Sequence, residues 1–220
     1  MTAPDDDVTA DRRRRLELAA AVVLALATIL AAWCAYQSTR WTGVMATAFS
    51  EANTNRAESI RLDTQASSTT AIDVQSFLAW IAAVRDGDGP SAAELRVRLR
   101  PEFKAVFDAW LDRPPGTTLS LAELPPGTPF DRPDYRPSAL VQSNDLAVVA
   151  EQRFTDARRA NQIGDNYVLV AVLMSIGLFL AGTAHQFKTI RLERGILIGA
   201  GSAVALGLVA CAFLPINVGI

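Results

Sequence analysis

Three long stretches of the chain lack Asp, Glu, Lys and Arg, and each is long enough to cross a lipid bilayer. They occupy residues 18–39, 166–187 and 195–220. An α-helix rises about 1.5 Å per residue and the hydrocarbon core is about 30 Å thick, so roughly 20 apolar residues suffice to span it. Helices buried in a water-soluble core are the alternative, which three such stretches in one chain disfavour. We therefore predict transmembrane helices at 16–39, 166–187 and 195–216.

The segment that follows the first span is predicted to be helical from 41 to 84. Apolar and small side chains recur there every three or four positions, a spacing typical of one face of a helix. No proline interrupts the chain between Pro4 and Pro90, so the first span could continue into this helix. Four poor helix formers at 67–70 mark the place where a bend or break is expected.

Glycine and proline end this helix near residue 90, and Ser91 is the predicted N-cap of the next one, over 92–111. Glu94 follows three residues later, as a capping-box partner does. Pro101 should kink this helix or divide it in two.

Seven prolines between residues 113 and 137 predict a Pro-rich surface loop. Recruitment of a partner through polyproline geometry is the less favoured alternative for this segment. Ser138 is expected to cap a last helix that runs into the second span. The predicted fold is therefore an all-α membrane protein with a helical domain, residues 40–165, between the first and second spans.

Basic residues predict the orientation of the spans. Four arginines, Arg12 to Arg15, precede the first span, and Lys188, Arg191 and Arg194 lie between the second and third. Short flanking segments rich in lysine and arginine stay in the cytoplasm. The tail 1–15 and the loop 188–194 are then cytoplasmic, and the domain 40–165 and the C-terminal residues 217–220 are extracytoplasmic. A cleaved signal peptide is the alternative for the N-terminus, disfavoured because the apolar stretch is longer than usual.

Composition and motifs point away from several functional classes. The net charge of −2 predicts no nucleic-acid partner. His185 is the single histidine, and one histidine without partners makes no zinc site. Phosphate-binding glycine loops, nucleophile elbows and two-histidine metal motifs are absent from the sequence, so we expect no catalytic residues, no cofactor and no enzymatic activity.

Some residues at the ends of the spans are predicted to meet. Cys34 and Cys211 lie at similar depth, where either a disulfide between spans one and three or two separate buried thiols could form. Opposite charges also share a depth in two places, Arg40 with Asp165 at the outer boundary and Glu17 with Lys188 at the inner one. Pairs at such exposed positions contribute about 1 kcal/mol or less.

The third span has small residues at steps of four. They are Gly199, Ala203 and Gly207, followed by Cys211. Small residues at this spacing let two helices approach closely. We expect them to pack against another span of the same chain, with a second copy as the alternative.

Two motifs flank the outer ends of spans one and two. The first reads Trp33-x-x-Tyr36-Gln37-x-x-x-Trp41-x-Gly43, and the second reads Ala160-Asn161-x-x-x-Asp165-x-Tyr167-Val168-Leu169. Over most of its length the chain resembles a family of uncharacterised bacterial inner-membrane proteins with these motifs. The resemblance implies a bacterial inner-membrane location and no particular activity.

The motif residues are polar or aromatic and lie at one depth, so we expect a hydrogen-bonded collar that joins spans one and two. Its members would be Trp33, Tyr36, Gln37, Arg40, Trp41, Asn161, Asp165 and Tyr167. The leading functional hypothesis is a structural or interaction protein that acts through its external domain, in contact with the lipid bilayer and with a membrane-protein partner or further copies of itself. The alternative is a subunit of an oligomeric channel or transporter.

Overall fold

The computed structural model describes residues 4–117, 119–187 and 189–218, with side chains described from residue 12 onwards. Five α-helices lie in this part of the chain: α1 (Pro4–Arg85), α2 (Gly89–Arg98), α3 (Pro101–Leu111), α4 (Ser138–Thr183) and α5 (Ile190–Phe213). Three short 3₁₀ turns accompany them, at Leu121–Glu123, Pro129–Asp131 and Ala184–Gln186. No strand occurs among the described residues, which confirms the all-helical fold.

Three of these helices, α1, α4 and α5, are long and apolar enough to cross a membrane. Their apolar windows are mostly exposed, and only 11% of the window in α1 is buried within the protein. The side chains left outside are large and aliphatic or aromatic, such as Ile29, Leu169, Phe179 and Ile198. A water-soluble bundle would place charged and polar residues at such positions. The exposed surface of these helices is therefore compatible with a multi-pass membrane protein.

The chain divides into two compact units. Unit 1 comprises Met1–Ser50 and Arg153–Ile220, and unit 2 comprises Glu51–Gln152. Helices α1 and α4 contribute residues to both. Each unit has its own buried core.

In unit 1, α1, α4 and α5 meet along one seam. Its residues alternate at steps of three and four: Ala20, Val23, Ala27, Leu30, Cys34 and Gln37 on α1; Tyr167, Val170, Met174, Gly177 and Ala181 on α4; Leu197, Ala200, Val204, Gly207 and Cys211 on α5. Ala27, Met174 and Val204 form one shared layer of this core. A period of 3.5 residues indicates left-handed coiling of the three helices, as in most helical membrane bundles.

The small residues on α5 do not all face this seam. A Cβ added to Gly207 would lie 1.9 Å from Cε of Met174, so the helices approach closely at this point. Ala203 is half-buried, whereas Gly199 is exposed and a Cβ there would meet nothing within 4 Å. Steps of four advance about 40° around a helix, so a row of small residues turns away from the contact within two steps. The second close approach uses a glycine outside the predicted row, Gly177 of α4.

In unit 2, α1 is uninterrupted where the sequence predicted a bend or break. The hydroxyls of Ser68 and Thr69 donate to the carbonyl oxygens of Thr64 and Gln65, one turn earlier in the same helix. These side chains therefore bond along the helix instead of competing with its backbone. Helix α1 continues to Arg85.

The predicted N-cap of the next helix was wrong. Asp88 caps α2, because its carboxylate accepts hydrogen bonds from the backbone N–H and the hydroxyl of Ser91. Proline is favoured in the first turn of a helix, so Pro90 lies inside α2 instead of before it. Glu94 is not a capping-box partner and pairs with Arg98 at 2.5 Å. The expected division at Pro101 is confirmed, since that residue begins α3.

Aromatic side chains fill the core of unit 2. Phe77 and Trp80 of α1 pack against Phe107 and Trp110 of α3, with ring centroids 4.8 to 6.3 Å apart. Phe103 of α3 belongs to the same core and contacts Phe107 at 6.1 Å. Offset and edge contacts of this kind contribute beyond the area they bury.

The Pro-rich loop is anchored to this core by two aromatic residues. Phe130 stacks on Phe103 at 5.1 Å, and Tyr135 meets the same ring edge-on at 5.9 Å. Two 3₁₀ turns form in the loop where the sequence predicted no helix, each closed by a capping box that the proline density does not prevent.

The contact at Gly207 gives the first prediction. We expect Gly207→Leu to lower the free energy of unfolding by about 1–3 kcal/mol, because the seam has no room for the added side chain. Gly199→Leu is the matched control on the same helix and should leave stability unchanged. Thermal unfolding of both variants in mild detergent measures the difference, and equal melting temperatures would contradict the seam described above.

Candidate functional site

A hydrogen-bonded cluster lies at the end of unit 1 where α1 and α4 leave their apolar stretches. The backbone carbonyl of Pro215 accepts two bonds there, from Nε1 of Trp41 at 3.0 Å and from the hydroxyl of Tyr167 at 3.3 Å. Oε1 of Gln37 accepts a third bond, from the backbone N–H of Asn217 at 3.0 Å. Gln37 and Tyr167 are fully buried.

Pro215 explains why the residues after α5 can bind to α1 and α4 at this point. Proline lacks a backbone N–H, and its ring clashes with the preceding helical turn, so α5 ends at Phe213. The end lies three residues before the predicted end of the third span. The residues that follow, 214–217, are then free to lie across α1 and α4. We call these four residues the C-terminal strap.

The eight predicted collar residues divide into two sets. Gln37, Trp41 and Tyr167 bond to the C-terminal strap instead of directly to each other. The other five collar residues differ from these three in exposure or in their contacts. Trp33 and Tyr36 are exposed, and their ring centroids lie 5.9 Å apart. Asn161 and Asp165 are exposed and form a hydrogen bond of 3.0 Å with each other, and Arg40 is half-buried.

Two residues of the cluster were missed by sequence reasoning, Pro215 and Asn217. A signal for the first was present, since a proline just after an apolar helix marks the end of that helix. Their bonds are made by backbone atoms, which no side-chain motif reveals. The carboxylate of Asp165 takes Asn161 as its partner, in place of the predicted pairing with Arg40.

The two cysteines are brought together below this cluster. Their sulfur atoms lie 3.9 Å apart, both side chains are buried, and both are free thiols. Tyr167 and Val170 pack around them. The two cysteines therefore lie at the similar depth expected from the sequence and are also in direct contact. They pack as small apolar side chains.

Residues at the opposite end of unit 1 offer little chemistry. His185 lies in the 3₁₀ turn after α4 and is exposed, as Glu17 is. Lys188, the predicted partner of Glu17, lies outside the described residues. Within the described part of the chain, no three His, Cys, Asp or Glu side chains come close enough to hold a metal ion.

Unit 2 has a buried carboxylate at its centre. Asp73 is 1% exposed and accepts two bonds from the guanidinium of Arg100, at 2.8 and 3.2 Å, and one from the hydroxyl of Tyr135 at 3.0 Å. These bonds join α1 to the start of α3 and to the Pro-rich loop. A carboxylate this deeply buried needs hydrogen-bond donors around it, and here unit 2 itself supplies them.

A second ion pair joins α2 to α3. Nε of Arg96 donates to Asp108 at 2.8 Å, and its other nitrogens donate to the carbonyl oxygens of Arg113 and Pro114. Burial raises the pKa of Asp108, but the hydrogen bonds from Lys104 and Arg96 outweigh burial and leave this pKa below its ordinary value. Both clusters connect structural elements to each other, which is the role of structural ion pairs.

No family model matches this chain, and no curated protein or solved structure is significantly similar to it. The resemblance to bacterial inner-membrane proteins therefore stays a prediction that rests on the two motifs.

The bond from Trp41 to the C-terminal strap can be tested with a matched pair of variants. We expect Trp41→Phe to lower the free energy of unfolding by about 1 kcal/mol, the usual contribution of one hydrogen bond. Trp33→Phe removes the same indole from an exposed position eight residues earlier and should have a smaller effect. Chemical unfolding of both variants in mild detergent measures this, and a larger loss for Trp33→Phe would contradict the arrangement.

Proposed function

We propose that the chain lies in a bacterial inner membrane, with its N-terminus and the 188–194 loop in the cytoplasm. The domain at 40–165 and the C-terminal strap would then lie outside. Support comes from the arginines at 12–15 and from the basic residues between α4 and α5, which agree because two spans separate them. The motif resemblance supports the bacterial origin.

Reporter fusions test this orientation. A reporter inserted after Ser120 should be active only in the extracytoplasmic compartment, and one inserted near Ile190 only in the cytoplasm, because α4 separates the two positions. Activity in the same compartment at both sites would rule out the arrangement. Activity in the reversed compartments would keep the three spans and overturn the proposed orientation.

We further propose that the protein is not an enzyme and acts by contact, with its external helical domain binding a protein partner. The observation that supports this most is that the buried charged side chains of unit 2 are bonded within the unit. Its buried charged groups, Asp73 and Arg96, are bonded within its own fold, so they are not available for chemistry on a substrate. Val141 and Val148 of α4 are 43% and 65% exposed.

The two valines lie seven residues apart and therefore share a face of α4. This face is opposite the buried Ser143 and Ala150 of the same helix. A rigid aromatic core with aliphatic side chains on an outer helix face is suited to a contact surface.

A second candidate is a subunit of an oligomeric channel or transporter, favoured by one feature of α1. Six small residues at alternating steps of four and three are exposed on the membrane part of this helix: Ala21, Ala25, Thr28, Ala32, Ala35 and Thr39. Large side chains such as Leu26, Ile29 and Trp33 occupy a different face. Rows of small residues let another membrane helix approach closely. Against a coupled pump, no charged residue lies near the centre of any span.

Assembly in mild detergent separates the two candidates. We expect the wild-type protein to be recovered in a complex with another protein, and Val141→Lys with Val148→Lys to weaken it about tenfold or more, because burying a lysine in place of an aliphatic contact costs over 1.4 kcal/mol. Gln142→Lys, on another face of α4, is the control for the effect of one added charge.

Two outcomes would count against contact through unit 2. One is a wild-type protein that is monomeric with no bound protein. The other is a homo-oligomer that conducts ions in planar bilayers and that the lysine variants leave intact, which would favour the channel.

A further inference from the structure

A groove of about 590 Å³ lies on the side of unit 1, between α1 and α4. Met45 and Phe49, one turn apart on α1, form one wall. Arg158, Arg159 and Gln162 of α4 form the other. One wall of the groove is therefore apolar and the other is polar and basic.

The position of the groove relative to the apolar spans is the first step of the argument. Gln162 precedes the start of the second apolar stretch at Asn166 by four residues, which is about 6 Å along the helix, and Arg158 precedes it by eight, about 12 Å. Met45 follows the end of the first apolar stretch at Thr39 by about 9 Å. The headgroup layer of a bilayer extends roughly 5–8 Å beyond the hydrocarbon core. The groove therefore begins within this layer and rises beyond it, to Phe49 at about 15 Å from the end of the first apolar stretch.

The charge of the groove is the second step. Arg158 and Arg159 are both exposed, and neither forms an ion pair with a carboxylate of the described residues. The guanidinium of Arg158 lies 5.9 Å from the ring centre of Phe154. The acidic residues of this part of α4, Asp156 and Asp165, do not line the groove. Two adjacent positive charges are thus left without an anionic partner among the residues that the structure describes.

The chemical character of the ligand follows from the two walls of the groove together. A guanidinium matches the oxygens of a phosphate with parallel hydrogen bonds, so two of them favour a phosphate group. Phe49, held edge-on against Phe154 at 5.3 Å, and Met45 offer an apolar surface facing these charges. The matching molecule carries a negative phosphate next to an apolar part, and it must be abundant at the level of the headgroups.

We infer that this groove binds the phosphate headgroup of an anionic phospholipid from the adjacent leaflet. Arg158 and Arg159 hold the phosphate, and Gln162 lies towards the bilayer from which the lipid enters. Met45 and Phe49, at a similar distance from the bilayer as the arginines or further from it, contact the carbon atoms of the headgroup. The inference is independent of which side of the membrane the domain faces, and it adds a lipid ligand to the protein contact proposed above.

Lipid retention by the full-length protein tests this site. The chain in mild detergent is titrated with phosphatidylglycerol or phosphatidylcholine, and native mass spectrometry counts the lipids that remain bound. We expect preferential retention of phosphatidylglycerol and roughly tenfold weaker retention by Arg158→Gln with Arg159→Gln, since loss of about 1.4 kcal/mol in binding already has this effect. Arg56→Gln with Arg113→Gln makes the same charge change at exposed positions of unit 2 and should retain the lipid as wild type does.

Two further arms keep the test decisive. Inorganic phosphate at the same concentration should not displace the lipid, and displacement by it would identify free phosphate as the ligand and overturn the proposal. Wild-type protein carrying a phosphatidylglycerol with a photoreactive headgroup should be labelled at 45–49 or 155–162, whatever the stability of the arginine variants. Equal retention of the two lipids, or labelling confined to other segments, would also overturn it.

Discussion

Close contact between three helices along a seam of small side chains is the interaction on which the rest of unit 1 depends. Lipid tails are as apolar as leucine, so helices in a bilayer gain little from hiding aliphatic surface and associate through tight packing instead. The seam supplies this packing with Ala27, Gly177, Ala200 and Gly207. Its spacing also decides which residues face inwards at each end, and so it brings Cys34 next to Cys211 and buries Gln37 and Tyr167.

The helical class and three helices long and apolar enough to cross a membrane could be predicted, because charge exclusion over about 20 residues is a strong and local signal. Depth along each helix could be predicted as well, and it placed Cys34 and Cys211 at one level. The rotation of each helix about its own axis could not be predicted. Asp165 and Tyr167 are two residues apart and so lie about 200° apart on α4, which means that they cannot both face the bundle. A smaller rotation, about 80° over eight residues, separates Gly199 from Gly207 on α5.

Other differences between sequence and structure come from competition between equivalent local signals. Asp88 and Ser91 are both good N-caps, and the choice between them depends on Pro90, which fits best in the first turn of a helix. The short turns in the Pro-rich loop depend on Phe130 and Tyr135, whose rings reach an aromatic core built from residues far away in sequence. Unit 2 also shows why polar residues are a poor guide to chemistry on their own. Asp73, the most deeply buried carboxylate described, joins three separate segments of that unit through Arg100 and Tyr135.

The carbonyl of Pro215 has a consequence for how the protein is made. A ribosome synthesises α1 and α4 well before residue 215, and the C-terminal strap reaches them only after α5 has been made. Until then the amide of Gln37, the indole of Trp41 and the hydroxyl of Tyr167 must satisfy their hydrogen bonds with water, headgroups or the insertion machinery. Completion of this end of unit 1 is therefore a late event in biogenesis. Insertion of the third helix gives the first two helices the polar contacts that they lack on their own.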